Sequence, residues 1–180
     1  MSLFDLTGHV AIVTGGNGGI GLGMALGLAK AGASLAIVGR NADKNKIAIE
    51  KLQGMGATAI AIEKDITEEL AGTDVVTKVE DRFGRIDILI NNAGSNIRKR
   101  PEELSLNDFR WVQDTNLTSA FVFSQAVYPK FKTIGKGKII NIGSMYSIFG
   151  GAVATAYSVS KGGLIQMTKS MAAAWAADKI

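Results

Sequence analysis

The sequence contains no cysteine, which excludes a disulfide scaffold, a thiol nucleophile and a cysteine-based metal site. No metal centre is expected, and the absence fits a cytoplasmic protein. No stretch approaches the roughly 20 consecutive apolar residues that a bilayer crossing needs, so no membrane association is expected. Met1 to Gly8 carries neither a basic segment nor a long apolar run, so a signal peptide is not expected. Concentrated charge of one sign is missing too. The formal charge is only +4, and the longest basic block is Arg98-Lys99-Arg100, which argues against a nucleic-acid partner. No linker, repeat or low-complexity segment breaks the chain.

What remains is an ordinary composition, 47% hydrophobic and 20% charged over 180 residues, read as a single domain spanning 1–180. A chain of this size buries roughly 70% of its unfolded surface, enough for a core without cross-links. Short β-rich runs alternate with helical patterns. Strands are expected at Val10–Val13, Ser34–Val38, Thr58–Ile62, Ile86–Ile90 and Lys138–Ile142. Helices are expected at Ile20–Lys30, Asp43–Leu52, Glu68–Phe83, from Pro101 to about Lys132 with a break near Leu106, and at Tyr157–Ala177. The strands are continuous apolar runs, as in sheets covered on both faces. The alternation predicts an α/β fold, a doubly wound parallel sheet in three α/β/α layers with right-handed crossovers. Such a sheet ordinarily continues to a sixth strand, and none follows Asp178-Lys179-Ile180. A truncated chain is therefore expected, with a genuine five-strand fold as the alternative.

Thr14-Gly15-Gly16-Asn17-Gly18-Gly19-Ile20-Gly21 lies between the first strand and its helix. From Gly16 it reads GxGxxG; from Gly15 it reads TGxxxGxG. Either register gives a tight turn, backbone N–H groups close to a pyrophosphate, and a helix N-terminus whose dipole favours phosphate. This predicts dinucleotide binding. At the end of the second strand, Val38-Gly39-Arg40-Asn41 offers one Arg and no acid. A guanidinium suits a ribose 2′-phosphate where a carboxylate would suit a 2′-hydroxyl, so NADP(H) is favoured over NAD(H). The competing reading of Arg40 is a solvated helix-start residue.

Tyr157-Ser158-Val159-Ser160-Lys161 puts a phenol and an ammonium at i and i+4, on one helix face. A free phenol has a pKa of about 10, and a neighbouring cation lowers it toward the range of a useful acid/base. Ser144 follows the fifth strand at its carboxyl end, where open α/β sheets hold their ligands. Asn116 is a poor helix former inside a helix, facing the same crevice or serving as a satisfied structural amide. Asn116-Leu117-Thr118 also matches a glycosylation sequon.

Together, Thr14 to Gly21, Asn91-Asn92-Ala93-Gly94, Asn116, Ser144, and Tyr157 with Lys161 resemble the short-chain dehydrogenase/reductase family, in order and spacing along the whole chain. The resemblance implies a Rossmann fold and hydride transfer between a nicotinamide cofactor and a small-molecule alcohol/ketone pair. It implies a catalytic tetrad: Tyr157 as acid/base, Lys161 lowering its pKa and holding the nicotinamide ribose, Ser144 orienting substrate, and Asn116 anchoring a relay water. It implies cofactor contacts from Gly15, Asn17, Gly19, Ile20, Gly21, Arg40, Asp65, Ile66, Asn91, Ala93, Gly94, Tyr157 and Lys161. One departure is Gly18, at a place where many NADP-preferring members carry Lys or Arg. Within the family, Ser2-Leu3-Phe4, Asn91 to Arg98 with Pro101, and Ile140 to Met145 are most similar to gluconate and 2-deoxygluconate dehydrogenases. Arg98 or Arg100 then becomes a candidate partner for a sugar-acid carboxylate, against a solvated basic loop. Acyl-carrier-protein ketoreductases and broad carbonyl reductases share much of the pattern. An NAD(P)-binding regulator without chemistry is the non-enzyme alternative. The resemblance also implies a homotetramer or homodimer packed through Asn107–Lys132 and Tyr157–Ala177, with Ala172, Ala173, Trp175 and Ala176 at the interface or in the core.

Overall fold

A computed structural model of the chain describes residues 4–180; Ser2 and Leu3, part of the N-terminal likeness noted above, lie outside the described residues. Among the described residues one sheet is built from β1 (Val10–Thr14), β2 (Ser34–Gly39), β3 (Ala59–Glu63), β4 (Ile88–Asn91) and β5 (Lys138–Asn141). Their order is β3-β2-β1-β4-β5, and every pairing is parallel. The helices are α1 (Gly19–Lys30), α2 (Ala42–Gly54), α3 (Ala71–Phe83), α4 (Leu106–Gln113), α5 (Ser119–Ile134) and α6 (Thr155–Trp175).

Alternate side chains of a strand point to opposite faces, and here both faces are apolar because both are covered. Ala11, Val13, Leu35, Ile37, Ile88 and Ile90 pack beneath Ala25 of α1 and Ala48 and Leu52 of α2. Val10, Ile12, Ala36, Val38 and Leu89 pack against Val75 and Val79 of α3 and Phe123, Val127 and Phe131 of α5. α6 lies along β5 and against α4. Each fully buried Val, Leu, Ile or Phe contributes about 1.5–3 kcal/mol.

Several expected boundaries move. β4 starts at Ile88, not Ile86; Asp87, just before it, still bonds through its backbone to the Val10 carbonyl and the Lys138 N–H, and its carboxylate also accepts from the Val10 N–H at 2.9 Å. α3 starts at Ala71, not Glu68: the Asp65 carboxylate accepts from the N–H and hydroxyl of Thr67 at 3.0 and 2.8 Å, a turn that competes with helix. The break expected near Leu106 falls just before it, where Ser105 caps α4 by accepting from the Asp108 N–H. α5 runs on to Ile134 and stops where Gly135 takes φ +82°.

The chain winds outward from β1 to β3, then α3 carries it back so that β4 pairs on the other side of β1. The turns after β1 and β4 therefore diverge, opening the crevice where such sheets bind ligands.

Candidate functional site

The turn after β1 distinguishes the two glycine registers. Gly15 and Gly19 have φ of +63° and +50°, conformations that favour glycine. A Cβ on Gly21 would run into the Gly15 carbonyl and the Asn92 amide. Gly18, by contrast, is extended, and a Cβ there would meet open space. Gly16, which opens the other register, is also tight, since a Cβ there would stand 2.8 Å from Ile37 Cγ2 and 2.9 Å from the Val13 carbonyl; the positive φ angles follow the register that starts at Gly15. Gly18 is the N-cap of α1 and no side chain caps that helix, so its first N–H groups are left for an anion.

Thr14 and Asn92, neither singled out individually from sequence, tie this turn to the one after β4. Thr14 Oγ1 accepts from the N–H groups of Asn92 and Ala93, both at 3.1 Å, while Asn92 Nδ2 donates to the Thr14 carbonyl at 3.0 Å. Asn91, grouped above with the cofactor contacts, points elsewhere. It is buried and donates to the Ala120 carbonyl, Ser124 and Asn141. Ile20 is 72% exposed at the first turn of α1.

A cleft of about 280 Å³ runs from the end of β2 to Ser95, and its walls include Gly15, Asn17, Arg40, Asp65, Ile66 and Ala93. Asn17 is fixed by donating to Asn45 Oδ1 at 2.7 Å. The Arg40 guanidinium lies 3.4 Å from the Asp65 carboxylate and is 63% exposed, a pairing between residues 25 positions apart that the sequence did not suggest. Burial alone would raise the Asp65 carboxyl, but the Thr67 and Arg40 donors outweigh it and hold it below the usual range. Lys44, also missed, lines the same end, whereas Lys64 there is engaged by Glu68 and Asp74. These walls fit a dinucleotide: bare backbone at the turn between β1 and α1, uncapped helix N–H groups, and cations at the far end.

Beyond Ser95 the structure brings Asn116, Tyr157 and Lys161 together, and Ser144 reaches Tyr157 through the ring of Tyr146. Asn116 sits in a wide turn, residues 114–118, between α4 and α5. It is 1% exposed, where no glycan could be attached. Its Oδ1 accepts from the Ser95 N–H at 2.7 Å, and its Nδ2 donates to the Ser95 carbonyl at 2.8 Å and to Ser160 Oγ at 3.0 Å. Both amide hydrogens are thus in use, and the side chain has no donor left for a water. Ser160, likewise missed from sequence, passes the link on by donating to the Tyr157 carbonyl at 2.8 Å.

Lys161 is 4% exposed, and its ammonium donates to the Ile142 carbonyl at 2.7 Å. No carboxylate pairs with it among the described residues, and burial pushes its pKa below the usual lysine value. Its Nζ lies 5.9 Å from the centre of the Tyr157 ring. A Cβ on Gly94 would stand 3.2 Å from Asn116 Oδ1 and 3.6 Å from Lys161 Nζ, so the end of the cleft and the tetrad share a wall. Ser144 Oγ accepts from the Tyr146 N–H at 3.2 Å, leaving its hydroxyl hydrogen free.

Among the described residues no helix is long and apolar enough to cross a membrane. Ala172, Ala173 and Ala176 are exposed, and Trp175 is half-buried, stacked on Tyr128 at 4.6 Å.

A family model described as short chain dehydrogenase matches residues 9–180. The chain is 39% identical over 177 residues to 2-dehydro-3-deoxy-D-gluconate 5-dehydrogenase of Formosa agariphila, covering 98% of this chain and 67% of that protein. It is 39% identical over 173 residues to gluconate 5-dehydrogenase of Gluconobacter oxydans, covering 96% and 68%. Among solved structures, an NAD+-bound xylitol dehydrogenase superposes with a TM-score of 0.94 at 34% identity, covering 97% of this chain and 68% of that one.

Proposed function

The chain belongs to the short-chain dehydrogenase family, and on that premise we propose that it moves hydride between NADP(H) and the alcohol/ketone pair of a sugar acid of the gluconate or 2-deoxygluconate kind. The observation that carries the reading is Lys161: a buried ammonium without a counter-ion among the described residues, one helical turn from Tyr157 and against the wall of the cleft. Burying a lone charge is costly, and structure alone gives no reason to keep one there. A nicotinamide cofactor supplies or takes the hydride when bound. In oxidation the Tyr157 phenolate takes the hydroxyl proton as the carbon gives up hydride; in reduction the phenol returns it to the carbonyl oxygen. Ser144 donates its free hydroxyl hydrogen to that oxygen. Lys161 has two N–H donors beyond the one on Ile142 for the ribose hydroxyls, and Asn116 holds Ser95, and with it the rim of the site. The cofactor contacts proposed are Gly15, Asn17, Gly19, Ile20, Gly21, Arg40, Asp65, Ile66, Ala93, Gly94, Tyr157 and Lys161, with Asn91 supporting the turn from behind.

NADP(H) is preferred in this reading because Arg40 and Lys44 face the end of the cleft with only Asp65 opposing them. Titration with each reduced cofactor tests it. NADPH should bind more tightly, and Arg40→Ala should weaken NADPH about tenfold, the scale of one charge-assisted hydrogen bond, while leaving NADH unchanged. Equal affinities, unaltered in the variant, would favour the second reading, NAD(H), for which the Arg40–Asp65 pair and the NAD+ in the xylitol dehydrogenase speak.

The sugar-acid reading draws on the relatives' activities and on Arg98. Lys99 pairs with Asp108 and Arg100 with Glu102, each at 2.7 Å, leaving Arg98 as the cation of the three without a carboxylate among the described residues. Its segment runs along the site, from Ser95 bonded to Asn116 to Lys99 bridged to Ala154. Arg98→Ala should raise KM for gluconate about tenfold and leave kcat unchanged. An unaltered KM would remove Arg98 from the substrate site. A cytoplasmic homotetramer or homodimer completes the proposal, supported by the lack of cysteine and by exposed Trp111 and Phe121 on the α4 and α5 surface.

A further inference from the structure

Tyr157 stands on a weak footing. It lies in the first turn of α6, whose N-cap, Ala154, offers no side-chain cap, and first turns have unsatisfied N–H groups and fray. An acid/base must nonetheless hold its oxygen within hydrogen-bond reach of the reacting group. Ser160 holds the Tyr157 carbonyl, but that fixes backbone and leaves the phenol free to swing about χ1.

The phenol itself is met by another ring. Tyr146, in the short turn Met145–Ser147 after β5, packs edge-to-face on Tyr157 with centroids 6.1 Å apart and planes at 86°. Tyr146 is held in turn. A Cβ on Gly151 would stand 2.6 Å from Tyr146 Cε1 and 3.2 Å from its hydroxyl oxygen, so the ring rests on bare glycine backbone. The Tyr146 N–H donates to Ser144 Oγ. One residue therefore orients both the hydroxyl that is to donate to substrate and the phenol that is to exchange its proton. Lys161 lies 5.9 Å from the Tyr157 ring centre, so Tyr157 has one neighbour for its charge and another for its direction.

We propose that Tyr146 is a positioning residue for the Tyr157 phenol, acting through its ring and not through its hydroxyl. The inference rests on the role of Tyr157 argued above. It requires that the aromatic wall be kept, that the hydroxyl of Tyr146 be dispensable, and that anything displacing the ring act like its removal.

Three variants test it, each compared with wild type for kcat, KM, NADPH affinity and melting temperature. Tyr146→Ala should lower kcat about tenfold or more, the scale on which small misplacements act, with KM and NADPH affinity within about twofold. Tyr146→Phe should restore wild-type kcat. Gly151→Ala, which leaves both tyrosines intact but pushes the Tyr146 ring aside, should reproduce the loss in kcat. Wild-type kcat in Tyr146→Ala or in Gly151→Ala overturns the proposal, and so does an equal loss in Tyr146→Phe. If wild type turns over no alcohol or ketone, the functional reading fails and the contact is judged on the cofactor-free protein. Tyr146→Ala should then shift the melting temperature less in a Tyr157→Ala background than in wild type; equal shifts overturn it.

Discussion

Replacing Tyr157 by phenylalanine is expected to cut turnover about 10³-fold, within the range that general acid–base groups contribute, while NADPH affinity falls by no more than about tenfold, the scale of one hydrogen bond, and melting temperature stays at the wild-type value. The substitution removes one oxygen and keeps the ring that packs on Tyr146. The Tyr157 hydroxyl makes no hydrogen bond to another described residue, so its removal strands no partner. The end of the cleft that runs from Arg40 to Asp65 is built from β2 and the segment after β3, far along the sheet from α6. Binding and chemistry should therefore separate cleanly. That separation also distinguishes an enzyme from a cofactor-binding regulator, which would be indifferent to the loss. Wild-type turnover in Tyr157→Phe would remove Tyr157 from the mechanism.

Lys161→Met is expected to lose turnover by about 10²-fold or more and to melt higher than wild type. The two signs are opposite because the ammonium is kept for chemistry at a cost to folding. Burial of an unpaired charge costs several kcal/mol, against about 1.5–3 kcal/mol for the charge-assisted hydrogen bond to Ile142 that the variant gives up. A net gain of about 1 kcal/mol corresponds to roughly 2–4 °C for a chain of this length. The pH dependence follows from the depressed pKa of Lys161. Below that depressed value both folded and unfolded chains hold the proton, and the folded one bears the full desolvation cost. As pH rises from there toward the usual lysine value, the folded chain releases its proton first, the unfolded chain binds more protons, and wild-type stability climbs. The variant's advantage should be largest near neutral pH and shrink through that alkaline window. A lower melting temperature for Lys161→Met near neutral pH would show that the ammonium is structurally supported in a way the Ile142 carbonyl alone does not explain.

The sheet was legible because its strands are apolar on both faces, a pattern that survives without knowledge of partners. Val10 to Val13 is buried at every position, and the glycines after it identify a turn whose backbone must be bare. Tyr157 and Lys161 were legible because helical spacing is short-range. What escaped was set by contacts between residues distant in sequence. Arg40 reads as a free cation until Asp65 is brought to 3.4 Å. Asn91 reads as a member of the cofactor turn until its amide is seen turned toward α5 and Asn141. Asn116 reads as a weak helix residue, yet it lies in a widened turn that carries it to Ser95 and Ser160, and no propensity scale signals such a turn. The start of α3 moved where a side chain competed with helix, as the Asp65 carboxylate does by accepting from Thr67.

Hydride transfer is tested most directly by the absorbance of reduced nicotinamide when the purified chain is given NADP+ and gluconate. Appearance of NADPH in proportion to protein, with matching loss of substrate hydroxyl to ketone, is the predicted result. Bound cofactor that stays oxidised with gluconate, its 2-deoxy analogues and other secondary alcohols alike would contradict it.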